Sequence, residues 1–594
     1  MSNTTKAPRW SLTSVYPSFD SAEYKRDIQL FKERIDTFSA EMEKPLPDSA
    51  KEFLALIELF ESAGDIAENL SSYSNAIYTA DTKDARALSE INALETAFLP
   101  LGKAAVIFRK KLAEQKDEIL KLAKSDPSLT PYLFYLSEAI EKASFQMSSE
   151  MEDLANDLSR SGADAWSRLH DVMTATAQGL WDSATGERKT VVELRELARS
   201  PDRNIRERAY KAELSAWADV EIPVAAALNG VKGTTITLDQ RRGWKNRDGS
   251  YDVLRKSCFQ SRISEKTLHA LIEALEASLP VFRRYLHAKA KLLGVPVCAF
   301  YDLFAPVGNT SEKKWSWEES ADFIVKQFNS FDPGMGTFAR HAFEFSWIDA
   351  EIRDGKIGGA YCTGFPLKGE SRILSNFDGS FDSVTTTAHE LGHAWHHEVL
   401  KELPGSLSHY PMTLAETASI FAETLVFEGA LKKAGAEERL GLIEGNIKDS
   451  CQVTVDILSR FYFEKALFER RAAAELSPEE LCAIMTEAQK KTYGSALDPA
   501  LLHPYMWAVK THYYIPSLGF YNYPYAFGLL FSLGLYAKIQ TADDYRKLLK
   551  LTGRCSAEEV AMSAGFNTED GTFWNSGISI IEKRVEELEG LADV

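Results

Sequence analysis

Apolar residues recur at helical spacing through the first part of the chain. Within residues 21–115, Phe53, Leu56, Ile57 and Phe60 lie three and four positions apart, which places them on one face of a helix. Such a stripe packs against other apolar surface and needs no functional explanation. The pattern therefore predicts packed helices in this region.

Turn-forming residues divide the helical pattern further along the chain. Residues 125–131, which include two prolines and two serines, interrupt it. It resumes to about Ser161 and again from about Asp202, and residues 437–492 continue it. The apolar residues 525–536 are too few for a membrane span and predict a buried helix. We therefore expect a mainly α protein.

Composition is typical of a soluble globular protein, because 45% of the 594 residues are hydrophobic and 26% are charged. The net charge of −18 argues against nucleic acid or an anionic membrane as a main partner. No run reaches the roughly 18–20 apolar residues of a membrane span, and residues 1–9 lack the apolar stretch of a signal peptide. The six cysteines show no paired spacing, so we expect free thiols in a reducing cytoplasm.

The candidate chemistry lies in the sequence His-Glu-Leu-Gly-His at residues 389–393. On a helix, His389 and His393 lie one turn apart on the same face, so both imidazoles can reach one metal ion. Histidine nitrogen binds zinc at about 2.0–2.1 Å. Glu390, one position along, is turned away from the ion but can reach a water bound to it. Two ligands and a base are the parts that metal-assisted hydrolysis needs.

The residues around this motif favour a helix. Asp382 or Ser383 is placed to cap its start, and Pro404-Gly405 ends the apolar pattern. His396 and His397 fall off the ligand-bearing face. We interpret them as partly exposed histidines or as partners of the ligands, rather than as ligands.

A catalytic zinc site usually keeps a position open for water, so one more protein ligand is expected. A second helix is predicted from Thr413 to about Lys433, and Glu416 on its first turn can lie back against the first helix. Two interpretations are open: Glu416 is the third ligand, or it caps the helix by binding the backbone of Thr413. Glu423, two turns on, either orients a ligand histidine or is a solvated carboxylate.

Together these residues resemble the thimet oligopeptidase and oligoendopeptidase F family of zinc peptidases. That family carries His-Glu-x-Gly-His, as at residues 389–393, and then a helix with Glu-x-x-Ser, as from Glu416 to Ser419. The resemblance implies one Zn²⁺ ion, held by His389, His393 and Glu416.

Two further stretches strengthen the resemblance. Residues 358–362 and 371–377 are similar to the paired strands that precede the zinc-binding helix in the family. Downstream, His512, Tyr521 and Tyr525 are similar to its cluster of histidine and tyrosines. The resemblance implies that these side chains donate hydrogen bonds to the carbonyl oxygen of the substrate as it becomes negatively charged.

The resemblance also implies the architecture. We expect a large helical, gluzincin-like peptidase with a small β-sheet beside the zinc-binding helix and a deep channel that excludes folded proteins. The strand near Ser375-Asn376 would pair with the substrate backbone. Residues 1–200 are predicted to form an N-terminal helical region, and residues 201–594 the catalytic region. Within the latter, the basic loop at residues 241–249 is interpreted as solvated.

The sequence therefore predicts a cytoplasmic zinc oligoendopeptidase that cleaves internal bonds of short unstructured peptides, with Glu390 as general base. Three alternatives are open. A zinc exopeptidase of related helical build would share the motif but remove residues from peptide ends. A non-catalytic peptide-binding module would keep the metal site, and a helical scaffold would carry the motif by chance.

Overall fold

The structure is a computed structural model, and it describes residues 7–245, 252–308 and 314–592. Residues 1–6, and residues 246–249 of the predicted basic loop, lie outside the described residues.

The chain divides into two compact units, each assembled from three stretches. Unit 1 comprises Met1–Phe145, Glu312–Lys432 and Lys538–Phe566, and unit 2 comprises Gln146–Ser311, Lys433–Ala537 and Asn567–Val594. The boundary expected near residue 200 falls inside unit 2, and the division into an N-terminal and a catalytic region stays a prediction.

Helices form most of both units. In chain order they are α1 (Ala22–Glu41), α2 (Ala50–Ala80), α3 (Ala85–Glu114), α4 (Lys116–Ser125), α5 (Leu133–Ala143), α6 (Ser149–Ser159), α7 (Ala163–Thr176), α8 (Val191–Glu196), α9 (Arg203–Arg241), α10 (Val253–Gln260), α11 (Glu265–Leu292), α12 (Trp317–Phe331), α13 (Pro333–Glu344), α14 (Phe381–Leu400), α15 (Gly405–Ser408), α16 (Met412–Leu431), α17 (Ala436–Cys451), α18 (Ile457–Arg471), α19 (Pro478–Tyr493), α20 (Met506–Val509), α21 (Tyr523–Lys538), α22 (Ala542–Leu549), α23 (Ala557–Ser563) and α24 (Gly571–Ala592). The strands are β1 (Gln178–Asp182), β2 (Glu187–Thr190), β3 (Ile348–Asp349), β4 (Tyr361–Phe365) and β5 (Glu370–Leu374). The expectation of a mainly α protein is confirmed.

The first helices of unit 1 surround one apolar core. Phe53 and Ile57 of the predicted stripe are fully buried in it, and Phe60 packs against it from the side. Phe365 of β4 and Leu407 of α15 belong to the same core. The sheet and the loop before α16 are therefore fixed to helices from the first 145 residues.

A three-stranded sheet lies in unit 1 in the order β3-β5-β4. β4 and β5 are antiparallel, with Tyr361 opposite Leu374, which confirms the prediction of paired strands before the helix that carries the histidine motif. Ser375-Asn376 follows directly after β5, and the expectation that this stretch pairs with substrate stays a prediction. β5 is the central strand and its ladder ends at Leu374, so among the described strands of this sheet β3 and β4 are the edges. The backbone beside β3 bonds to Pro8, which leaves β4 with the free edge.

Unit 2 contains the longest helix, α9, whose start was predicted correctly. Asp202 caps it by accepting a hydrogen bond from the backbone N–H of Asn204. β1 and β2 form an antiparallel hairpin before this helix. The predicted apolar helix is α21, which is largely buried. A π-helical segment, Gln452–Asp456, joins α17 to α18.

One described helix differs from the expectation about membrane spans. By length and composition, α3 is apolar enough to cross a membrane: its most apolar window has a mean hydropathy of 1.3, and 17% of that window is buried. Alanines and short apolar runs raise its mean hydropathy without forming one continuous apolar stretch. A single helix of this kind is weak evidence for a membrane span. All six cysteines are free thiols, as expected.

Candidate metal centre

α14 carries the His-Glu-x-x-His sequence, and its start differs from the prediction. Ser380, rather than Asp382 or Ser383, is the capping residue, and its side chain accepts a hydrogen bond from the N–H of Ser383. Gly379 precedes it with a φ of +82°, a conformation that favours glycine. Asp378 holds this turn by accepting from the N–H and hydroxyl of Ser380. The helix therefore begins at Phe381, before the residues expected to cap it.

α16 carries the candidate third ligand, and here too the start differs. Pro411 is the capping position and supplies no side-chain cap, so Thr413 lies inside the first turn. The capping box between Thr413 and Glu416 requires Thr413 at the capping position, and this alternative is therefore incorrect. Glu416 instead points toward the histidines of α14.

Gly392 allows α14 and α16 to approach closely. A Cβ atom at this position would lie 2.6 Å from both the carbonyl oxygen of Ala418 and Cα of Ser419, and 2.9 Å from Cβ of Ala422. Real side chains do not make such contacts, so only glycine fits between the two backbones. This approach brings Glu416, on the facing helix, within reach of the histidine pair.

Three ligand-type side chains converge between these helices. The ligand atoms of His389, His393 and Glu416 all lie within 4.8 Å of one another. Oε2 of Glu416 is 3.2 Å from Nε2 of His389 and 3.6 Å from Nε2 of His393. Two imidazoles and one carboxylate form a donor set that can hold a divalent cation.

Two other side chains of α16 fix these groups. Oε2 of Glu423 lies 3.2 Å from Nδ1 of His389, on the side of the ring away from Glu416. The hydroxyl of Ser419 donates to Oε2 of Glu416 at 2.6 Å. Partners of this kind set the tautomer of a ligand histidine and the orientation of a ligand carboxylate. The sequence analysis left open that Glu423 orients His389, but it assigned no such role to Ser419. The Glu-x-x-Ser spacing could have indicated one, because it puts Glu416 and Ser419 on one face of the helix.

The electrostatics of the cluster indicate a place for a positive charge. Burial acts to lower the pKa of His389, but Glu416 and Glu423 outweigh it and raise that pKa well above its ordinary value. Burial acts to raise the pKa of Glu416, but His389 outweighs it and the pKa falls to about 2. Burial and the neighbouring His389 lower the pKa of His393 to about 4. Two carboxylates beside one imidazole therefore favour a positive charge at this place. A bound metal ion would supply that charge.

Glu390 lies in the same region but outside this donor set. It is buried, and burial, opposed by His389 and assisted by Glu416, raises the pKa of Glu390 to about 7. A carboxylate with this pKa can both accept and release a proton near neutral pH.

The two remaining histidines of α14 have different surroundings. His396 is buried, stacks on Tyr410 with 4.1 Å between ring centroids, and places Nε2 2.9 Å from the hydroxyl of Thr552. His397 is partly exposed, and its Nδ1 lies 3.1 Å from the hydroxyl of Ser371. Neither joins the donor set, as the sequence predicted.

The histidine and tyrosines expected to act with the metal lie in unit 2. The ring of His512 is 5.4 Å from that of Tyr521, and Tyr521 is 5.5 Å from Tyr525, so the three form one aromatic row. Nε2 of His512 is buried and has no hydrogen-bond partner among the described residues. Burial, followed by the charges of nearby cations, lowers the pKa of His512 to about 4, so its ring is neutral at pH 7.

Comparison with known proteins identifies the family. The profile of peptidase family M3 matches residues 196–570, and that of oligopeptidase F matches residues 112–178. The chain belongs to peptidase family M3. This M3 peptidase is therefore an enzyme that acts on peptides, in agreement with the prediction.

Relatives of this M3 peptidase align along nearly its whole length. The oligoendopeptidase F homolog of Lactococcus lactis is 25% identical over 603 residues, covering 99% of this chain and 98% of its own. The oligopeptidase PepF of Bacillus subtilis is 22% identical over 596 residues, covering 98% of this chain and 87% of its own. The crystal structure of oligoendopeptidase-F from Enterococcus faecium, at 19% identity, has a TM-score of 0.69 and covers 96% of this chain and 99% of that one. This structural likeness shows a shared fold.

Proposed function

We propose that this M3 peptidase is a zinc-dependent oligoendopeptidase that hydrolyses internal bonds of short, unstructured peptides in the cytoplasm. The convergence of His389, His393 and Glu416 within 4.8 Å, with Glu390 buried beside them, is the observation that carries the proposal. The names of the Lactococcus and Bacillus relatives support the substrate class. The six free thiols support a reducing compartment.

The metal would be held by three side chains of unit 1. His389 and His393 would bind it through Nε2, and Glu416 through its carboxylate. Nδ1 of His389 donates to Glu423, which keeps Nε2 unprotonated for the ion. When bound, zinc supplies Lewis acidity that lowers the pKa of a water to about 7.

Glu390 serves as the general base and then as the acid. Its carboxylate takes a proton from the attacking water and hands it to the amine that leaves. Its burial beside the proposed ligands keeps this carboxylate close to where the water would be bound.

His512, Tyr521 and Tyr525 donate hydrogen bonds to the carbonyl oxygen as negative charge develops on it. The neutral ring of His512, with Nε2 unpartnered among the described residues, is a free donor in one tautomer. Loss of one such donor typically raises the barrier by about 2.7–4 kcal/mol. His512→Phe and Tyr525→Phe are therefore expected to lower kcat by roughly 10²–10³ with little change in zinc content.

The free edge of β4 holds the substrate backbone. An extended peptide adds to the edge of a sheet through main-chain hydrogen bonds, which give affinity without strong selection of side chains. β4 borders α14 through Cys362 and Gly364, so a peptide on its edge runs along the zinc-binding helix.

Mass spectrometry of a mixed peptide pool tests the proposed function. Purified enzyme should cut peptides internally, including peptides blocked at both ends, and a chelator should abolish these cuts until zinc is restored. Removal of residues only from free ends would instead indicate an exopeptidase. Bound zinc without any cleavage would indicate a peptide-binding module.

Glu390→Gln separates the base from the metal site. This change should leave one zinc per chain and abolish cleavage, because the amide cannot accept the proton. Glu402→Gln, which removes an exposed carboxylate just beyond α14, is the matched control and should keep full activity. Retained turnover in Glu390→Gln would reject the assignment of the base.

A further inference from the structure

A cavity of about 270 Å³ opens in unit 1 beside α14, one turn beyond His393. α2, β4, α14 and the loop around α15 enclose it. Apolar side chains and ionisable ones share its wall. The apolar ones include Phe338, Trp347, Phe365, Leu400 and Leu403, and the ionisable ones include Asp65, Glu68, Glu370, His397, Glu398, Lys401 and His409. Such a mixture suits a ligand with an apolar stem and a charged end.

Two glycines border this cavity. A Cβ atom at Gly405 would lie 2.8 Å from Oδ1 of Asp65, so a side chain there would displace this carboxylate. A Cβ atom at Gly364 of β4 would lie 3.5 Å from Nδ1 of His397 and 4.0 Å from Oε1 of Glu68. A longer side chain at Gly364 would therefore enter the cavity beside His397.

One carboxylate of the cavity makes neither a hydrogen bond nor an ion pair with a described residue. Three of the four carboxylates that line it have a cation within 4 Å: Glu68 with His409 at 3.5 Å, Glu370 with Arg372 at 2.8 Å, and Glu398 with Lys401 at 2.6 Å. The fourth, Asp65, makes no hydrogen bond or ion pair within the described part of the chain. A partly buried carboxylate without a hydrogen bond or ion pair is unfavourable, and the charge of His409 offsets only part of this cost, so the cavity favours a cationic guest.

A peptide side chain fits this cavity better than a metal ion. Within the described residues, the one set of three His, Cys, Asp or Glu ligand atoms that lie within 4.8 Å of one another is the candidate metal centre. The donors of the cavity are therefore too widely spaced to close around an ion. Its volume and apolar wall instead suit the apolar stem of a lysine or arginine side chain.

The cavity also lies where a bound peptide would present a side chain. Cys362 and Gly364 are alternate residues of β4 and face the same side, with Sγ of Cys362 4.0 Å from Nδ1 of His397. A peptide added to the free edge of β4 turns its own alternate side chains to this side. One of them enters the cavity at a fixed distance from the bond cleaved beside Glu390.

We infer that this cavity binds the arginine or lysine side chain of a peptide substrate, with its cationic end at Asp65, and so fixes the cleavage position relative to that residue. The inference rests on the proposed function and adds the substrate class. Asp65 is the specificity-determining residue, and Glu68 supports it from the same helix.

Peptides that differ at one residue test the inference. A single arginine is moved along a neutral ten-residue sequence, and each peptide has a twin with citrulline, which has the same shape without the charge. The enzyme should cut at a constant offset from arginine, with kcat/KM about tenfold above that of the citrulline twin, the change that 1.4 kcal/mol produces. Asp65→Asn should reduce this ratio to about one. Glu58→Gln, which removes an exposed carboxylate of the same helix outside the cavity, should leave the ratio unchanged.

If the enzyme cuts no peptide, peptide binding to the Glu390→Gln variant still tests the assignment of the cavity. Arginine peptides should then bind more tightly than their citrulline twins, and Asp65→Asn should abolish the difference. If no peptide is cut but arginine peptides still bind more tightly, the proposed function is rejected and the assignment of the cavity stands. Cleavage without a constant offset, or a ratio that Asp65→Asn does not change, overturns the cavity assignment. Binding of Ca²⁺ or Zn²⁺ that requires Asp65, without any preference for arginine, overturns it as well.

Discussion

Ser419 and Glu423 act on the proposed zinc ligands from outside the ligand set. The hydroxyl of Ser419 gives Glu416 a hydrogen bond at 2.6 Å, and Glu423 lies 3.2 Å from the far nitrogen of His389. Each removes a rotation that a free ligand side chain would have. A ligand that is already oriented loses less entropy when the ion binds, so these two residues should contribute to metal affinity.

Ser419→Ala is expected to weaken zinc binding by roughly 10–100-fold, as loss of such a partner typically does. The change removes the hydrogen bond to Glu416 and nothing that touches the ion. Competition with a chromophoric chelator measures the affinity. Thr424→Ala is the control, because the hydroxyl of Thr424 donates only to the backbone oxygen of Ile420. Equal zinc affinity in the two variants would show that Ser419 does not orient the ligand.

Asp65 should make the free protein less stable at neutral pH than at mildly acidic pH. Burial, with Glu68 and Glu61 on its own helix, raises the pKa of Asp65 from 3.8 to about 6, and His409 from the facing loop opposes this. The folded state therefore binds a proton more readily than the unfolded state. This penalty is complete above pH 6, decreases as the pH falls through 6, and disappears below about 3.8.

Asp65→Asn is accordingly expected to raise Tm at pH 7.5, and the gain over the unmodified protein should shrink as the pH is lowered from 7 to 4.5. Scanning calorimetry of the metal-free proteins at several pH values measures this. Glu58→Gln is again the matched control. A gain that is independent of pH would contradict the account, because it would not arise from the charge of Asp65.

Among elements, the pairing of α14 with α16 depends on the absence of a side chain at Gly392. Gly392→Ala would place a methyl group 2.6 Å from the backbone of α16, so the two helices must separate. Overpacking of this kind typically costs about 1–3 kcal/mol. We expect a lower Tm and a loss of zinc affinity in the same variant, because Glu416 moves away with its helix.

Gly445→Ala is the matched control for Gly392→Ala. Gly445 lies inside α17, and an added Cβ atom there meets nothing within 4 Å. Glycine to alanine at such a helical position usually stabilises by about 0.4–1 kcal/mol. The two variants should therefore shift Tm in opposite directions. If Gly392→Ala were as stable as Gly445→Ala and bound zinc normally, the close approach would not be what positions Glu416.

The elements that could be predicted from sequence are those with local signals. The spacing of His389 and His393 and the cap at Asp202 are readable within a few residues, and the corresponding helices are observed. The start of α14 could not be predicted, because serine and aspartate cap equally well and the choice depends on the turn at Gly379. The cavity beside His397 could not be predicted either, because α2 and the α15 loop reach it from distant parts of the sequence.

At the scale of the whole molecule, unit 1 depends on chain segments far apart in sequence. The guanidinium of Arg372 in β5 donates to the backbone oxygen of Ser11 at 2.7 Å, and the hydroxyl of Thr363 in β4 donates to that of Ser72 at 2.9 Å. Phe365 is buried in the core of the first helices. Local patterns describe single elements, so they gave no signal that three distant stretches form one unit.

The segment Met1–Phe145 should therefore be required for the metal site, although none of the proposed ligands lies in it. A fragment of residues 147–594 contains every proposed ligand and all of residues 196–570, which the M3 profile matches. It lacks the helices that bury Phe365 and one side of β4. We expect this fragment to bind no stoichiometric zinc and to show no cooperative unfolding of unit 1.

The matched control is the full chain with a protease site inserted between residues 146 and 147 and cleaved after folding, which should keep both properties because every contact of unit 1 remains. A fragment that bound zinc and unfolded cooperatively by itself would favour the division near residue 200 over the interleaved units, because the catalytic region would then fold without the N-terminal helices.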